Sequence, residues 1–225
     1  GVILNKAKKS FARTIFCLLL ASVSMGGFLI FGMRSSANVY QALPWDRASF
    51  GTTYAIFAFF YHFTLSYTNN KGNRGILYFA YAMLVLAAIL GPSNLIVERM
   101  TLEYYGYAPV SGPVALVLAI IIVFLSVQGI INLAKYHKAF LSAEERNRSL
   151  YLIIATIILI VGALIDGFSP LPPVAIWSGL TFCIICTVAI VKYHLLDIRL
   201  VIRKGVYYLL VSFMVAVRYV TVVFV

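Results

Sequence analysis

Only a few residues in this chain of 225 can do more than pack, and they are scattered along it. His62 stands in Phe59-Phe60-Tyr61-His62-Phe63-Thr64, an apolar run where an imidazole can contact a ligand or carry a proton. The plainer role is a neutral ring bonded to a backbone carbonyl or a tyrosine. Asp166 closes another apolar run; solvent or an arginine is its expected partner, and a ligand or proton site is the sharper alternative. Asn94, Glu98 and Arg99 follow a Gly91-Pro92 break. Asn94 is a candidate polar contact, and the other two read as solvated. Cys183 and Cys186 share a helix face at C-x-x-C spacing, which suits a metal or redox pair. No second Cys/His pair lies near them, and two small residues in a packed helix explain the spacing as well. Gln128 and Asn132, four apart, predict a hydrogen bond to a neighbouring helix. The sequence holds no phosphate loop, no H-E-x-x-H, no G-x-S-x-G and no paired carboxylates, so no catalytic centre, bound metal or cofactor is expected.

The elements that must position these residues are apolar and long. Seven stretches approach the ~20 residues a helix needs to cross a bilayer: Thr14–Met33, Ser49–Tyr67, Gly75–Val97, Pro113–Ala134, Leu150–Phe168, Pro172–Val191 and Gly205–Val225. The composition agrees, being 62% hydrophobic and 11% charged, where soluble domains average about 25% charged. The expected fold is an all-α, polytopic transmembrane bundle with about seven visible spans, in a fragment cut at both ends. The net charge of +11 raises nucleic acid as a partner, but the basic residues lie in short turns and form no continuous patch, so the bilayer is the expected partner.

Fourteen of the 18 lysines and arginines fall in alternate gaps: before Thr14, in Thr68–Arg74, in Lys135–Ser149 and in Lys192–Lys204. The positive-inside rule places those gaps in the cytoplasm of a multi-pass protein of the cell membrane. The Arg34–Ala48, Glu98–Gly112 and Ser169–Leu171 connections then face outward. Tyr40, Trp45, Tyr104 and Trp177 fall near the outer boundary, and Tyr67, Tyr136 and Tyr151 near the inner one, where amphipathic rings settle. Gly91-Pro92 predicts a kink or early end to the third span. Pro113 suits the first turn of the fourth. Leu171-Pro172-Pro173 predicts a tight hairpin with the fifth and sixth helices antiparallel. Ser142, three residues before Glu145, has capping-box spacing and predicts a helix start there. Gly26, Gly27, Gly32, Ala87, Ala88, Gly91, Gly162 and Ala163 offer close approach between helices.

Lys192-Tyr-His-Leu-Leu-Asp-Ile-Arg199, directly after an apolar run, resembles the end of the N-terminal seven-transmembrane region of bacterial sensor histidine kinases. Phe60-Tyr-His-Phe-Thr-Leu65 after the charged Trp45-Asp46-Arg47, and Asp166 before a proline-rich hairpin, fit the same pattern. The similarity runs from about Gly1 to Lys204. It implies a membrane-embedded sensory domain that passes a small-molecule or membrane stimulus to a cytoplasmic signalling module downstream, acting as a homodimer. His194, Asp197 and Arg199 then form a candidate signal-output segment; interfacial anchoring is the equal alternative for Asp197 and Arg199. The chain departs from the family in three ways. Its first helix is represented at most by Gly1–Leu4, and an additional truncated span, 205–225, follows the sensor-like region 1–204. The sequence also carries no phospho-acceptor helix and no ATP-binding glycine boxes, so no enzyme is expected in this chain. A small-molecule permease or transporter fragment, and a passive membrane anchor, are the alternatives.

Overall fold

The structure, a computed structural model, describes residues 2–70, 74–139, 142–168 and 174–193. The elements run α1 (Val2–Arg34), α2 (Val39–Tyr67), α3 (Arg74–Leu90), β1 (Val97–Glu103), β2 (Gly106–Ser111), α4 (Ala115–Ala139), α5 (Ala143–Phe168) and α6 (Val174–Tyr193). The fold is predominantly helical. Successive helices alternate in direction, so the end of α1 meets the start of α2, and the end of α5 the start of α6. The antiparallel hairpin β1–β2 sits at that end of the bundle.

Among the described residues, three helical stretches are long and apolar enough to cross a membrane: Phe11–Arg34, Ala115–Ala139 and Ala143–Asp166. The expectation of about seven spans is not met, and the reasons are local. Gly91-Pro92 stops α3 at Leu90, as the sequence predicts, leaving an apolar helix of 17 residues. The third span therefore does not reach Val97, which opens strand β1. α2 begins ten residues before Ser49, so its first third carries Gln41, Asp46 and Arg47 and dilutes its apolar character. The apolar part of α6 is short, Val174–Ala189. The seventh expected span, Gly205–Val225, and the 204/205 boundary lie outside the described residues.

Local chemistry explains the ends. Asn38 is extended and caps α2, its side chain accepting from the Gln41 N–H at 3.0 Å. Gln41 reaches back to the Ala37 N–H. The connection between α1 and α2 is consequently four residues and not the Arg34–Ala48 loop the sequence suggests. Ser142 caps α5 as its spacing predicts, accepting from the Glu145 N–H at 3.2 Å. The Glu98–Gly112 connection is the hairpin, with Tyr104-Tyr105 at its turn and Gly106 following at φ +104, a conformation that side chains rarely adopt.

α2 is the central helix, packed along α1, α3 and α4. Gly129 of α4 seats against the Phe60 ring, and the Trp45 ring lies on Gly32 of α1. α4 packs on α5, and α5 lies antiparallel to α6, with Gly162 against Ser178 and Asp166 against Val174. Away from the hairpin, α1, α2, α4, α5 and α6 converge on one core that includes Phe16, Phe63, Leu133, Leu152, Phe182 and Cys186. Burying large apolar side chains contributes ~1.5–3 kcal/mol each relative to exposure in water. In lipid the same contacts act through close packing.

Candidate functional site

Toward the hairpin end the helix pairs α1–α2 and α5–α6 diverge. Between them lies a cavity of about 270 Å³, lined by residues that include Val23, Gly27, Ile30, Thr53, Phe57, Ala163, Ser178, Gly179 and Cys183. It is close to the lower end of ligand pockets, ~300–1,000 Å³. α1 and α6 touch only sparsely, so the cavity opens sideways between them. Two of its hydroxyls are bonded to their own helices: Thr53 Oγ1 donates to the Ser49 carbonyl at 2.9 Å and Ser178 Oγ to the Ala175 carbonyl at 3.0 Å. Ser24 adds a third hydroxyl, and most of the remaining lining is apolar.

Charged groups gather above it. Arg34 ends α1 one turn beyond Ile30, Asp166 lies one turn beyond Ala163, and Asp46 lies two turns before Thr53 along α2. Arg34 is near enough to both carboxyls for its charge to act on them. Its Nη1 donates to the Tyr107 carbonyl at 2.6 Å, and its guanidinium stacks on the Tyr105 ring at 4.7 Å. This is how the hairpin is clasped to α1. Arg47 Nη2 donates to Asn94 Oδ1 at 2.7 Å. Asp46 is 6% exposed. Asp46 Oδ2, Arg34 Nε and Arg47 Nε are buried with no hydrogen-bond partner among the described residues. A buried polar atom without a partner is unfavourable by ~1–3 kcal/mol or more, and three such atoms at one end make it the candidate site.

The sequence-predicted residues divide. Asp166 belongs to this end: the charge of Arg34, an arginine of the expected kind, acts on it, and its Oδ1 also accepts the Val174 N–H at 2.6 Å, capping α6. Asn94 sits on Arg47. His62 lies elsewhere: its Nδ1 pairs with the Tyr81 hydroxyl at 2.7 Å, and its ring meets Phe11 and Tyr81 edge-on. The tyrosine-bonded role fits it, and it is not among the cavity lining. Asn132 does bridge helices, its Oδ1 accepting from Asn70 Nδ2 at 3.2 Å and its amide donating to Thr64. Cys183 lines the cavity and Cys186 is buried in the core, both as free thiols. Glu98 and Arg99 are exposed on β1. His194, Asp197 and Arg199 lie outside the described residues. Sequence reasoning missed Arg34 and Asp46 as site residues. The available signal was that their positions on adjoining helices frame the apolar faces of α1 and α2.

No protein-family model, no curated protein and no solved structure matches the chain.

Proposed function

We propose that the chain is a membrane-embedded sensory domain that relays a signal from the hairpin end of its bundle to a cytoplasmic module, of the histidine-kinase kind its sequence resembles. One observation carries the reading. Helix α6 lines the cavity with Ile176, Gly179 and Cys183 and runs on without interruption to Tyr193, directly before His194, Asp197 and Arg199. A rigid helix that touches a binding cavity at one end and an output segment at the other transmits a change of packing along its length. A stimulus shifts such a system only through different affinity for two helix arrangements.

In this reading all six helices cross the bilayer. α2 runs beside α1 from Trp45 on Gly32, past Thr52 and Ile56 near Gly26, to Phe63 against Phe16, so it shares the depth of a bilayer-length helix. The hairpin end faces outward and the Lys/Arg-rich end faces the cytoplasm. Single cysteines at Asn69 and Glu144 should then be labelled from the cytoplasmic side and one at Tyr104 from outside. Finding Asn69 and Glu144 on opposite faces would overturn the topology.

The signalling assignment is tested in the intact protein. Asp197→Ala with Arg199→Ala should alter output while leaving membrane insertion unchanged; normal output and normal stimulus response would defeat the assignment. Exchanging the bundle for an unrelated anchor should abolish the stimulus response. An undisturbed response means that the bundle is a passive anchor. Solute flux in proteoliposomes of the chain alone would favour a permease.

A further inference from the structure

The shaft of the cavity is apolar and its mouth is polar. From Val23 to Arg34 along α1, at 1.5 Å per residue, is about 16 Å. Thr53 and Ser178 donate to their own backbones and most of the lining is apolar, so a polar solute entering the shaft loses its hydration and finds few partners. A hydrocarbon chain loses nothing there. α1 and α6 touch only sparsely, and the exposed Phe28, Phe31 and Leu180 give these helices an apolar outer surface that in a bilayer faces acyl chains.

The mouth narrows the choice of headgroup. Arg34 and Arg47 stand against Asp46 and Asp166, so the formal charges balance. A purely anionic head would meet two carboxylates, and a purely cationic head two guanidiniums. The unanswered atoms are of both kinds: the Arg34 and Arg47 Nε donors and the Asp46 Oδ2 acceptor. A headgroup that fits carries an acceptor and an N–H donor together. We propose that this cavity binds one acyl chain of a zwitterionic membrane lipid bearing an aminoethyl phosphate head, with the phosphate meeting Arg34 and the ammonium meeting Asp46. The source is the surrounding bilayer. The site does not depend on the sensory reading, because binding is measured directly on this chain.

The test uses the purified 225-residue chain in detergent, with lysophosphatidylethanolamine as the probe and native mass spectrometry as the readout. Lysophosphatidylcholine keeps the phosphate but has no N–H donor; a monoacylglycerol of equal chain length lacks both charges. One lysophosphatidylethanolamine should be retained per chain, about fivefold more tightly than the choline lipid, with the monoacylglycerol weakest. Gly27 lines the cavity, and a Cβ built there meets nothing within 4 Å. Gly27→Leu should therefore fold and weaken retention by about tenfold. Arg34→Gln should weaken both phospholipids. Asp46→Asn should weaken only the ethanolamine lipid, which separates headgroup reading from chain filling.

Equal retention of all three lipids at several copies per chain would mean an adventitious lipid coat only, and would overturn the site. So would undiminished binding by Gly27→Leu. Should that variant aggregate, Gly179→Leu fills the shaft from α6, where an added Cβ meets only Val23 Cγ1 at 3.5 Å; unchanged retention there overturns the proposal equally.

Discussion

At the end of the bundle away from the hairpin, two tyrosines and an arginine from three helices converge on the Glu145 carboxylate. At the hairpin end, one carboxylate and two guanidiniums stand together with buried atoms that nothing answers. Glu145 Oε2 accepts from Tyr67 at 3.4 Å and from Tyr136 at 3.2 Å, and its Oε1 from Arg148 at 2.9 Å. Asn132 adds its bridge to Asn70 beside them, and His137 Nδ1 pairs with Ser149 Oγ at 2.9 Å. The core below is shared by five helices. Around Asp46 the helices part, a cavity opens, and polar groups remain unmatched. The difference teaches that polarity alone does not mark a functional end. Matched polar groups hold helices in place, whereas unmatched ones beside empty space are poised for something that is not the protein.

Breaking the matched end should have the largest effect. Glu145→Ala removes the charged acceptor shared by two half-buried tyrosine hydroxyls and loosens Arg148, which keeps Glu144 at 2.6 Å. A loss of about 2–4 kcal/mol is expected from hydrogen bonds to a charged acceptor, read as a lowered unfolding midpoint in detergent. Lysophospholipid retention by the molecules that remain folded should be unchanged. If Glu145→Ala proves silent, the two ends do not differ in the way described.

The unmatched end should respond with the opposite sign. Asp46 is 6% exposed, and its Oδ2 has no hydrogen-bond partner among the described residues. Burying a carboxylate that is not fully hydrogen-bonded is costly. Asp46→Asn keeps the shape and removes the charge. It should stabilise the protein by about 1–3 kcal/mol, read as a raised unfolding midpoint in detergent. A gain in stability joined to a loss of lipid retention is the pattern of a residue kept for binding.

Much of the matched end was legible in the sequence. The Ser142 cap and the Asn132 bridge each follow from a residue type at a fixed offset, as does the stop at Gly91-Pro92 at the hairpin end. The hairpin was hidden. Val97-Glu-Arg-Met-Thr-Leu-Glu carries only partial alternation, a bulge between Val97 and Arg99 shifts its register, and the strand follows an apolar helix that masks its start. The length of α2 was hidden because Trp45-Asp46-Arg47 reads as a charged loop. Asp46 is buried where α2 packs along α1, which brings Arg34 near it; that is a tertiary fact. His62 was singled out for its type, yet its environment is a tyrosine and two aromatic edges. The cavity was illegible for a related reason. Gly27 looks like a helix contact point, as Gly32 and Gly162 prove to be, and only the divergence of α1 from α6 leaves it facing open space.

The clasp between hairpin and helix sharpens the comparison further. Gly106 adopts φ +104, and a Cβ there would stand 2.6 Å from the Arg34 carbonyl oxygen. Gly106→Ala combines a strained backbone with that clash and should be unfavourable by about 1–3 kcal/mol. The loss should be local. Hydrogen exchange should quicken across Val97–Ser111 while amides near Tyr67, Tyr136 and Glu145 keep their protection. A uniform rise in exchange would show that the hairpin helps to hold the whole bundle.

The smallest effect is expected where a residue of suggestive chemistry proves to be packing. Tyr81→Phe deletes the hydroxyl that His62 Nδ1 meets at 2.7 Å and keeps the ring that packs edge-on against the imidazole. A loss of about 0.5–1.5 kcal/mol is the ordinary worth of one such bond, measured as a shift in the unfolding midpoint. Because His62 lies outside the cavity, the variant should retain lysophosphatidylethanolamine as the unmodified chain does. A fall in retention greater than the fall in stability would draw His62 into the site, and the division between an end that holds and an end that binds would then have to be redrawn along α2.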